Sequence, residues 1–513
     1  MFRNKERFSN NQILIFMFFI GALLSLAFAP TNLLPLAYFS PAILFLSVLN
    51  ISARTAFWRA YVFGLGLFGV GISWVFVAIH EFGNTPFLLA VLLTFLFVAF
   101  VALVIGFQGM FSAWVLNQFS NCRYYLQLAV LLILPLIWVM FEWIRGTIFT
   151  GFPWLNLGYS QIDTSLMGYA PIIGVYGVSW FVVLSSGFLI LIWKYSCSHY
   201  WNRFGIFSIL VVTVFLAGHL LKKIEWTEKV DKPLLVSLIQ GNAPQITKWD
   251  KDKINERLNI YKSLTEQHWN SDIVIWPENS LTMFYHDLKE SYLDPLEKTA
   301  LSYNTDLVIG IPVQNRNTGQ YYSTFMSFGR TPGVYKKTHL VPFGEFIPFE
   351  DIFRGLITFL DLPMSGFSRG DLDQALLKAG GQTLAVTICY EDAFGEEVIR
   401  QLPEATLLVN GSNNAWYGDS FAPHQHLQIS RMRAVETGRE LMRVTTNGIS
   451  AFVNKDGELL QTSPQFEPFV LTGKVQPRTG ATPYVYLGNK PMLVVFALFL
   501  VFVFLQRKFK LIN

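Results

Sequence analysis

The spacing of apolar and polar positions divides the chain into three regions. Residues 11 to 221 are almost continuously apolar, about 222 to 487 alternate in short apolar and polar runs, and 488 to 506 are apolar again. A helix needs about 20 predominantly apolar residues to cross the hydrocarbon core of a bilayer. On that measure the N-terminal region predicts spans near 11–29, 33–49, 57–79, 87–116, 126–142, 167–193 and 204–221, and the C-terminal region a further span at 488–506. Pro30 and Pro35 crowd the break between the first two. Ala27-Phe28-Ala29 has the small-residue form of a signal cleavage site, but Pro30 would follow the cut and a new apolar run begins at once, so an uncleaved span is expected. The organisation read from this pattern is a seven-span bundle (1–221), a water-facing domain (222–487), and a final span with a short tail (488–513).

The middle region changes period. Strands are predicted at 234–240, 272–276, 306–313, 321–328, 382–388, 407–410, 441–446, 449–453 and 467–473. Between them, 250–268, 287–302, 395–401 and 422–439 have helical spacing. Strands alternating with helices argue for a layered α/β domain, whose sites lie at the carboxyl ends of strands.

Composition narrows the picture. With 52% hydrophobic and only 14% charged residues the chain is too apolar for an ordinary soluble protein. The net charge of +4 is small and the Lys and Arg residues are dispersed, with no basic stripe interleaved with aromatics, so nucleic acid is not an expected partner. Lys and Arg gather before the first span (Arg3, Lys5, Arg7), in the second, fourth and sixth breaks (Arg54, Arg123, Lys194 with Arg203) and after the last span (Arg507, Lys508, Lys510). The positive-inside rule then puts both termini in the cytoplasm and the 222–487 domain outside it. Lys222 and Lys223 run against the rule, but long domains translocate largely regardless of charge. Three cysteines, Cys122, Cys197 and Cys389, allow no disulfide framework. On this topology Cys389 is an unpaired thiol on the oxidising side, which is easier to explain if it reacts.

Two stretches stand apart from the periodic segments. Residues 147–159 are aromatic, Gly-rich and too short to span. They read either as a re-entrant or interfacial segment or as a buried connector, with Glu142 and Arg145 beside them expected as a surface ion pair. Residues 342–370 contain Phe343, Phe346, Ile347, Phe349, Ile352, Phe353, Leu356, Ile357, Phe359 and Leu360 with few charges and no clear strand. That is a membrane-lying arm or a lid over a lipid pocket, or alternatively core packing against the sheet.

Candidate chemistry collects at three strand ends. An apolar run ends in Thr387-Ile388-Cys389-Tyr390-Glu391, another in Trp276-Pro277-Glu278, and a third segment carries Lys337 and Glu345. A thiol nucleophile needs a base for its proton and a cation for the developing oxyanion. Glu278, on an apolar strand where burial would raise its pKa, fits the base. Lys337 fits the oxyanion cation and would also lower the thiol pKa. Glu345 is expected to hold Lys337 or assist proton transfer, with Tyr390 and Glu391 in supporting positions. Taken singly, each of these has an ordinary structural explanation: an inert buried cysteine, a turn, a solvated lysine pair. His424 and His426 have no third ligand spaced with them and read as capping or surface residues. Arg431, Arg433, Arg439 and Arg443 suit either a phospholipid headgroup or, as expected here, salt bridges on a helix face.

Taken together, Trp-Pro-Glu (276–278), Lys-Thr-His-Leu-Val-Pro-Phe-Gly-Glu (337–345) and Ile-Cys-Tyr-Glu (388–391) resemble the carbon–nitrogen hydrolase, or nitrilase, superfamily. With seven spans before the domain and one after, the resemblance narrows to its membrane-bound branch, the bacterial apolipoprotein N-acyltransferases. It covers essentially the whole chain and extends to Gly241-Asn242-Ala243-Pro244-Gln245, Lys248-Trp249-Asp250 and Ser412-Asn413-Asn414-Ala415-Trp416-Tyr417-Gly418. The resemblance implies an αββα sandwich, a Glu278–Lys337–Cys389 triad and Glu345 as an essential partner. It implies an acyl transfer through a Cys389 thioester, from a phospholipid donor to the α-amine of a diacylglyceryl-cysteine on an apolipoprotein, with no cofactor and no metal, by a monomer in the bacterial inner membrane. Water exclusion would protect the thioester, and Trp249, Trp416, Phe343 and Pro348 are the residues expected to wall the acyl chain. Two other readings share elements of the pattern: a membrane-anchored amidase or nitrilase that passes the acyl group to water, and a transporter with an appended binding domain. The second is disfavoured by the few intramembrane charges and the lack of an internal repeat.

Overall fold

The computed structural model describes residues 9–245, 251–346 and 366–512. The predicted arm lies mostly outside these residues, as do Trp249 and Pro348. The chain divides into two compact units, one of Met1–Phe76, Phe87–Ile224 and Leu487–Asn513, the other of Val77–Pro86 and Glu225–Tyr486.

The first unit is helical, and an apolar helix occupies each predicted span. Among the described residues, five are long enough to cross a bilayer: Phe87–Gln118, Tyr125–Arg145, Ser165–Cys197, Trp201–Leu221 and Lys490–Arg507. The first two, Asn10–Ser25 and Pro35–Val48, have only 16 and 14 residues. The third expected span is broken: Ala53–Gly71 and Val75–Phe82 meet at 61°. Helix 53–71 packs closely on helix 10–25. A methyl group on Gly21 would lie 1.9 Å from the Phe63 carbonyl oxygen, and one on Gly66 would lie 2.0 Å from that of Phe18. Small residues at such crossings let backbones approach where no hydrophobic gain from water drives association.

Glu142 and Arg145 are not a surface pair. Both are buried, and they organise the stretch 147–159 as a buried connector. Arg145 donates to the Phe152 carbonyl (2.8 Å), to Asn156 Oδ1 (2.6 Å) and to the Trp154 carbonyl. Glu142 Oε1 accepts from Trp138 Nε1 and from the Leu157 amide, each at 2.9 Å. Irregular backbone among apolar helices has no water to satisfy it, so ionic side chains supply the missing partners. Local spacing does not reveal this, because it cannot report which side chains an irregular loop will cover.

The second unit contains fourteen strands among the described residues. They are β1 (Thr227–Lys229), β2 (Leu234–Gln240), β3 (Ile273–Ile275), β4 (Asp306–Gln314) and β5 (Tyr321–Phe328). Next come β6 (Gly333–Lys336), β7 (Leu377–Ala379), β8 (Gln382–Ile388), β9 (Leu407–Ser412) and β10 (Leu441–Thr445). The last are β11 (Ala451–Val453), β12 (Leu459–Thr462), β13 (Phe469–Val475) and β14 (Arg478–Gly480). Two six-stranded sheets form, ordered β13-β2-β3-β4-β5-β6 and β12-β11-β10-β9-β8-β7, while β1 pairs with β14. Strands β2, β3 and β4 are parallel, as are β8, β9 and β10, and the outer strands are antiparallel.

The side-chain alternation makes four layers. Ile273, Ile275, Val308 and Phe325 of one sheet share a core with Val386, Ile388, Val409 and Val444 of the other. The opposite faces carry separate cores against helices: Val274, Trp276 and Ile309 with Leu293 and Leu296, and Ala385, Leu408 and Leu441 with Leu427 and Ala434. This is the αββα sandwich. Strands that are buried on both faces read as continuous apolar runs, which is why β2, β3 and β8 are visible in the sequence. Short strands β6, β7, β12 and β14 lack such runs.

Phe325 lies between the sheets, fully buried, against Gly411, where an added methyl would sit 2.0 Å from the Phe325 ring. Phe325→Ala is expected to destabilise this unit by about 3–5 kcal/mol, measured by thermal unfolding in detergent. A shift corresponding to less than about 1 kcal/mol would mean that the sheets do not depend on this contact.

Candidate active site

Cys389 directly follows β8 and starts a short 3₁₀ turn, Cys389–Ala393. Its φ is 54°, a left-handed conformation unusual for a residue with a β-carbon. The sharp reversal takes the chain off the sheet and leaves the thiol at the sheet's carboxyl edge, 9% exposed.

Glu278 is placed by the end of β3. Trp276 points to the outer face, where its ring stacks on Tyr261 at 5.0 Å and its indole N–H donates to Thr265 Oγ1 at 3.0 Å. The turn beyond closes with the Ser280 amide donating to the Gly310 carbonyl at 3.0 Å. A methyl on Gly310 would lie 2.1 Å from the Pro277 carbonyl oxygen, so this turn approaches β4 as closely as only glycine allows.

Lys337 follows β6 and is 1% exposed, whereas its neighbour Lys336 lies over the Tyr322 ring at 4.5 Å. The Lys337 ammonium bridges two carboxylates: Glu278 Oε1 at 3.2 Å and Glu345 Oε1 at 2.7 Å. The second oxygen of each is also held. Glu278 Oε2 accepts the Asn413 amide at 2.9 Å, and Glu345 Oε2 accepts the Val341 amide at 2.8 Å. Asn413 in turn donates its side-chain N–H to Gln245 Oε1 at 2.9 Å.

Glu391 is buried behind this group. It accepts from the Thr338 amide (2.5 Å), the Thr338 hydroxyl (3.0 Å), the His339 amide (3.0 Å), the Ile388 amide (2.7 Å) and the Tyr335 hydroxyl (3.1 Å). One carboxylate therefore ties the segment after Lys337 to the strand end that carries Cys389. Tyr390 lies edge-on to His339 and Phe394 at ring separations of 5.7 and 5.0 Å.

The charges act on one another. Burial works against the Lys337 ammonium, but Glu278 and Glu345 outweigh it and hold its pKa well above the ordinary lysine value. Burial pushes Glu345 up despite Lys337, and pushes Glu391 up to about 7. Burial pushes the Cys389 thiol up as well; Glu278 adds to the effect and Lys337 opposes it. A thiolate formed in advance would add a second uncompensated negative charge to the site. The arrangement instead favours a neutral thiol whose proton leaves for a carboxylate as the sulfur attacks.

Of the residues expected to wall an acyl chain, Trp416 is half-buried and packs with Tyr321 and Phe346 against Leu340 and Phe367. Its ring also meets Phe82 edge-on at 6.3 Å. Phe343 is 55% exposed. Sequence reading missed Tyr417, whose hydroxyl lies in the field of Cys389, Glu278, Lys337 and Glu345, and whose pKa is raised chiefly by burial.

His426 does not take the surface or capping place that its sequence position suggests. It is 2% exposed, not a surface or capping residue, and its Nε2 lies 2.7 Å from Asp392 Oδ1 and 3.2 Å from the Cys389 carbonyl. Arg443 is likewise off the helix, on β10, fully buried and 3.5 Å from Asp392 Oδ2. Arg433 and Arg439 are buried too, the first paired with Glu436 at 3.0 Å. Isolated polar residues in the sequence give no sign of such burial. Among the described residues, no group of three His, Cys, Asp or Glu side chains is placed to hold a metal ion.

Burial holds the His426 pKa below its ordinary value of 6.5, with Arg443 acting in the same direction. An unfolded chain therefore binds a proton here before the folded one does, so the stability contributed by neutral His426 is present above pH 6.5 and lost as pH falls below it. His426→Gln removes this titration. The excess of the parent's melting temperature over that of the variant is expected to shrink between pH 7.5 and pH 5; an excess that grows on acidification would contradict the assignment.

The family model described as apolipoprotein N-acyltransferase N-terminal domain matches residues 20–188, and the carbon-nitrogen hydrolase model matches residues 235–484. An apolipoprotein N-acyltransferase of Methylococcus capsulatus is 41% identical over 474 residues, covering 92% of each chain. One from Nitrosomonas europaea is 41% identical over 94% of this chain and 95% of its own. One from Coxiella burnetii is 39% identical over 94% of this chain and 98% of its own.

Proposed function

This chain belongs to the apolipoprotein N-acyltransferase family, and from that premise we propose how it acts. It is an acyltransferase that N-acylates the diacylglyceryl-cysteine at the N-terminus of apolipoproteins. The donor is a phospholipid, and the acyl group passes through a thioester on Cys389. The observation that supports this route best is the buried Glu278–Lys337–Glu345 group, whose charges act on the thiol at the end of β8.

In the first half-reaction Glu278 takes the thiol proton while the sulfur attacks the ester carbonyl. Lys337 faces the oxyanion that forms. Collapse breaks the C–O bond, and the departing lysophospholipid oxygen takes the proton from Glu278. In the second half-reaction the apolipoprotein amine attacks the thioester and gives its proton to Glu278. The C–S bond breaks, the amide forms and the sulfur recovers its proton. Glu345 keeps Lys337 in place through both halves, and Glu391 holds the lysine segment against the nucleophile's strand. The acyl chain lies against Trp416, with Phe343 further along the wall; Trp249 and Pro348, expected beside them, lie outside the described residues.

The protein is a membrane protein. We assign its bundle to 1–221, its catalytic domain to 222–487 and its last span to 488–513. The catalytic domain lies on the outer side of the cytoplasmic membrane and both termini lie inside, following the distribution of Lys and Arg.

Intact-protein mass measures the chemistry directly. Incubated with a defined phospholipid, the parent is expected to gain one acyl mass that neutral hydroxylamine removes, and Cys389→Ser none. Adding a diacylglyceryl-cysteine peptide is expected to clear the adduct and yield the N-acyl peptide. Lys337→Met is expected to slow adduct formation at least about 10²-fold. An adduct that decays as fast without peptide would identify a hydrolase, and Cys389→Ser with full activity would remove the thiol from the mechanism.

Orientation is checked with a membrane-impermeant maleimide on cells with a permeabilised outer membrane. Cysteine placed at exposed Asn317 is expected to label, and Cys122 and Cys197 to stay unlabelled until the inner membrane is opened. The reverse pattern would invert the topology.

A further inference from the structure

The left-handed φ of Cys389 needs a restraint, because a residue with a β-carbon leaves this conformation readily when nothing holds it. Two side chains converge on the carbonyl of that one residue. Asn410 Nδ2 donates to it at 3.1 Å and His426 Nε2 lies 3.2 Å from it. The other partner of His426 Nε2, Asp392 Oδ1 at 2.7 Å, is also an acceptor, so this nitrogen carries the imidazole proton.

Each donor is fixed from behind. Asn410 Oδ1 accepts from Arg443 Nη1 at 2.5 Å and from Ser412 Oγ at 2.8 Å, which orients the amide with its N–H groups toward Cys389 and Thr387. Asp392 Oδ2 accepts the Ser430 hydroxyl, and that hydroxyl accepts from Arg443 Nη1 at 2.8 Å. Asp392, Asn410, His426, Ser430 and Arg443 are all 2% exposed or less. Well-packed apolar residues often serve stability as well as or better than a buried charged network of this kind, so stability alone does not account for it. Its two inward donors meet at the strained residue that carries the thiol.

We propose that His426 and Asn410, backed by Asp392, Ser430 and Arg443, are positioning residues for the nucleophile: they hold the Cys389 carbonyl, and so keep the thiol aimed at the acyl carbon. This rests on Cys389 being the nucleophile, as proposed above. Misplacement of a reacting atom by about 1 Å costs on the order of 10²-fold in rate, which sets the expected size of the effect.

The test compares the parent with His426→Leu, His426→Gln and Ser430→Ala, reading three quantities. These are the acyl-adduct rate at saturating phospholipid, the phospholipid concentration for half-maximal rate, and the iodoacetamide alkylation rate of Cys389 by peptide mass, with exposed Cys122 and Cys197 as internal references. His426→Leu is expected to slow both the adduct and the alkylation at Cys389 about 10²-fold with an unchanged half-saturation value. His426→Gln, which restores an N–H donor, is expected to recover most of the loss, and Ser430→Ala to fall between. Adduct and alkylation rates within twofold of the parent in His426→Leu, or in Ser430→Ala should the leucine variant not fold, overturn the proposal. So do losses that follow the melting temperature alone without rescue by glutamine. Alkylation needs no lipid, so it judges the positioning even if the parent forms no adduct, a result that would instead count against the acyl-transfer reading.

Discussion

The Lys337 ammonium, shut away from water between Glu278 and Glu345, is the constraint on which the site depends. Removing a cation from water costs several kcal/mol unless partners replace the lost hydration. Here two carboxylates do so, and each is itself held by a backbone amide. The chain must therefore bring β3, the segment after β6 and the turn after β9 to one place, or leave a bare charge inside. The two sheets supply that meeting point, since their facing cores fix where the strand ends lie.

Much of this was legible in the sequence. Strands β2, β5 and β8 fall at the residues the apolar runs indicate, because a strand covered on both faces has little choice of composition. Glu278, Lys337 and Cys389 stood out because each interrupts or follows such a run. What stayed hidden was the burial of polar side chains from outside those runs. Glu142, Arg145, His426 and Arg443 are isolated polar residues that the sequence assigns to a surface, and only the fold shows that irregular backbone or a neighbouring ion needs them inside. The break at Gly71 was hidden for a related reason. Apolar composition continues across it, and hydropathy does not record the bend of 61°.

The thiol's own electrostatics follow from the same constraint. Burial disfavours a thiolate at rest, and a site that already carries two carboxylates against one ammonium adds to that. Reactivity then depends on aim and on a nearby proton acceptor. That division of labour fits a catalyst whose intermediate has to survive until a second substrate arrives: geometry delivers the attack, while exclusion of water protects the product of it.

The Glu391 brace and the Asn413 amide also carry a consequence for biosynthesis. Glu391 receives the Thr338 amide from 53 positions earlier in the chain, and Asn413 reaches Glu278 across 135. Synthesis runs from the N-terminus, so the Thr338 and His339 amides have no carboxylate to dock on until residue 391 exists, and Glu278 is not fully fixed until residue 413 does. A ribosome halted between them releases a chain that has its thiol and its lysine but no finished site. The finished geometry is thus a property of the nearly complete chain and of no shorter product of its synthesis.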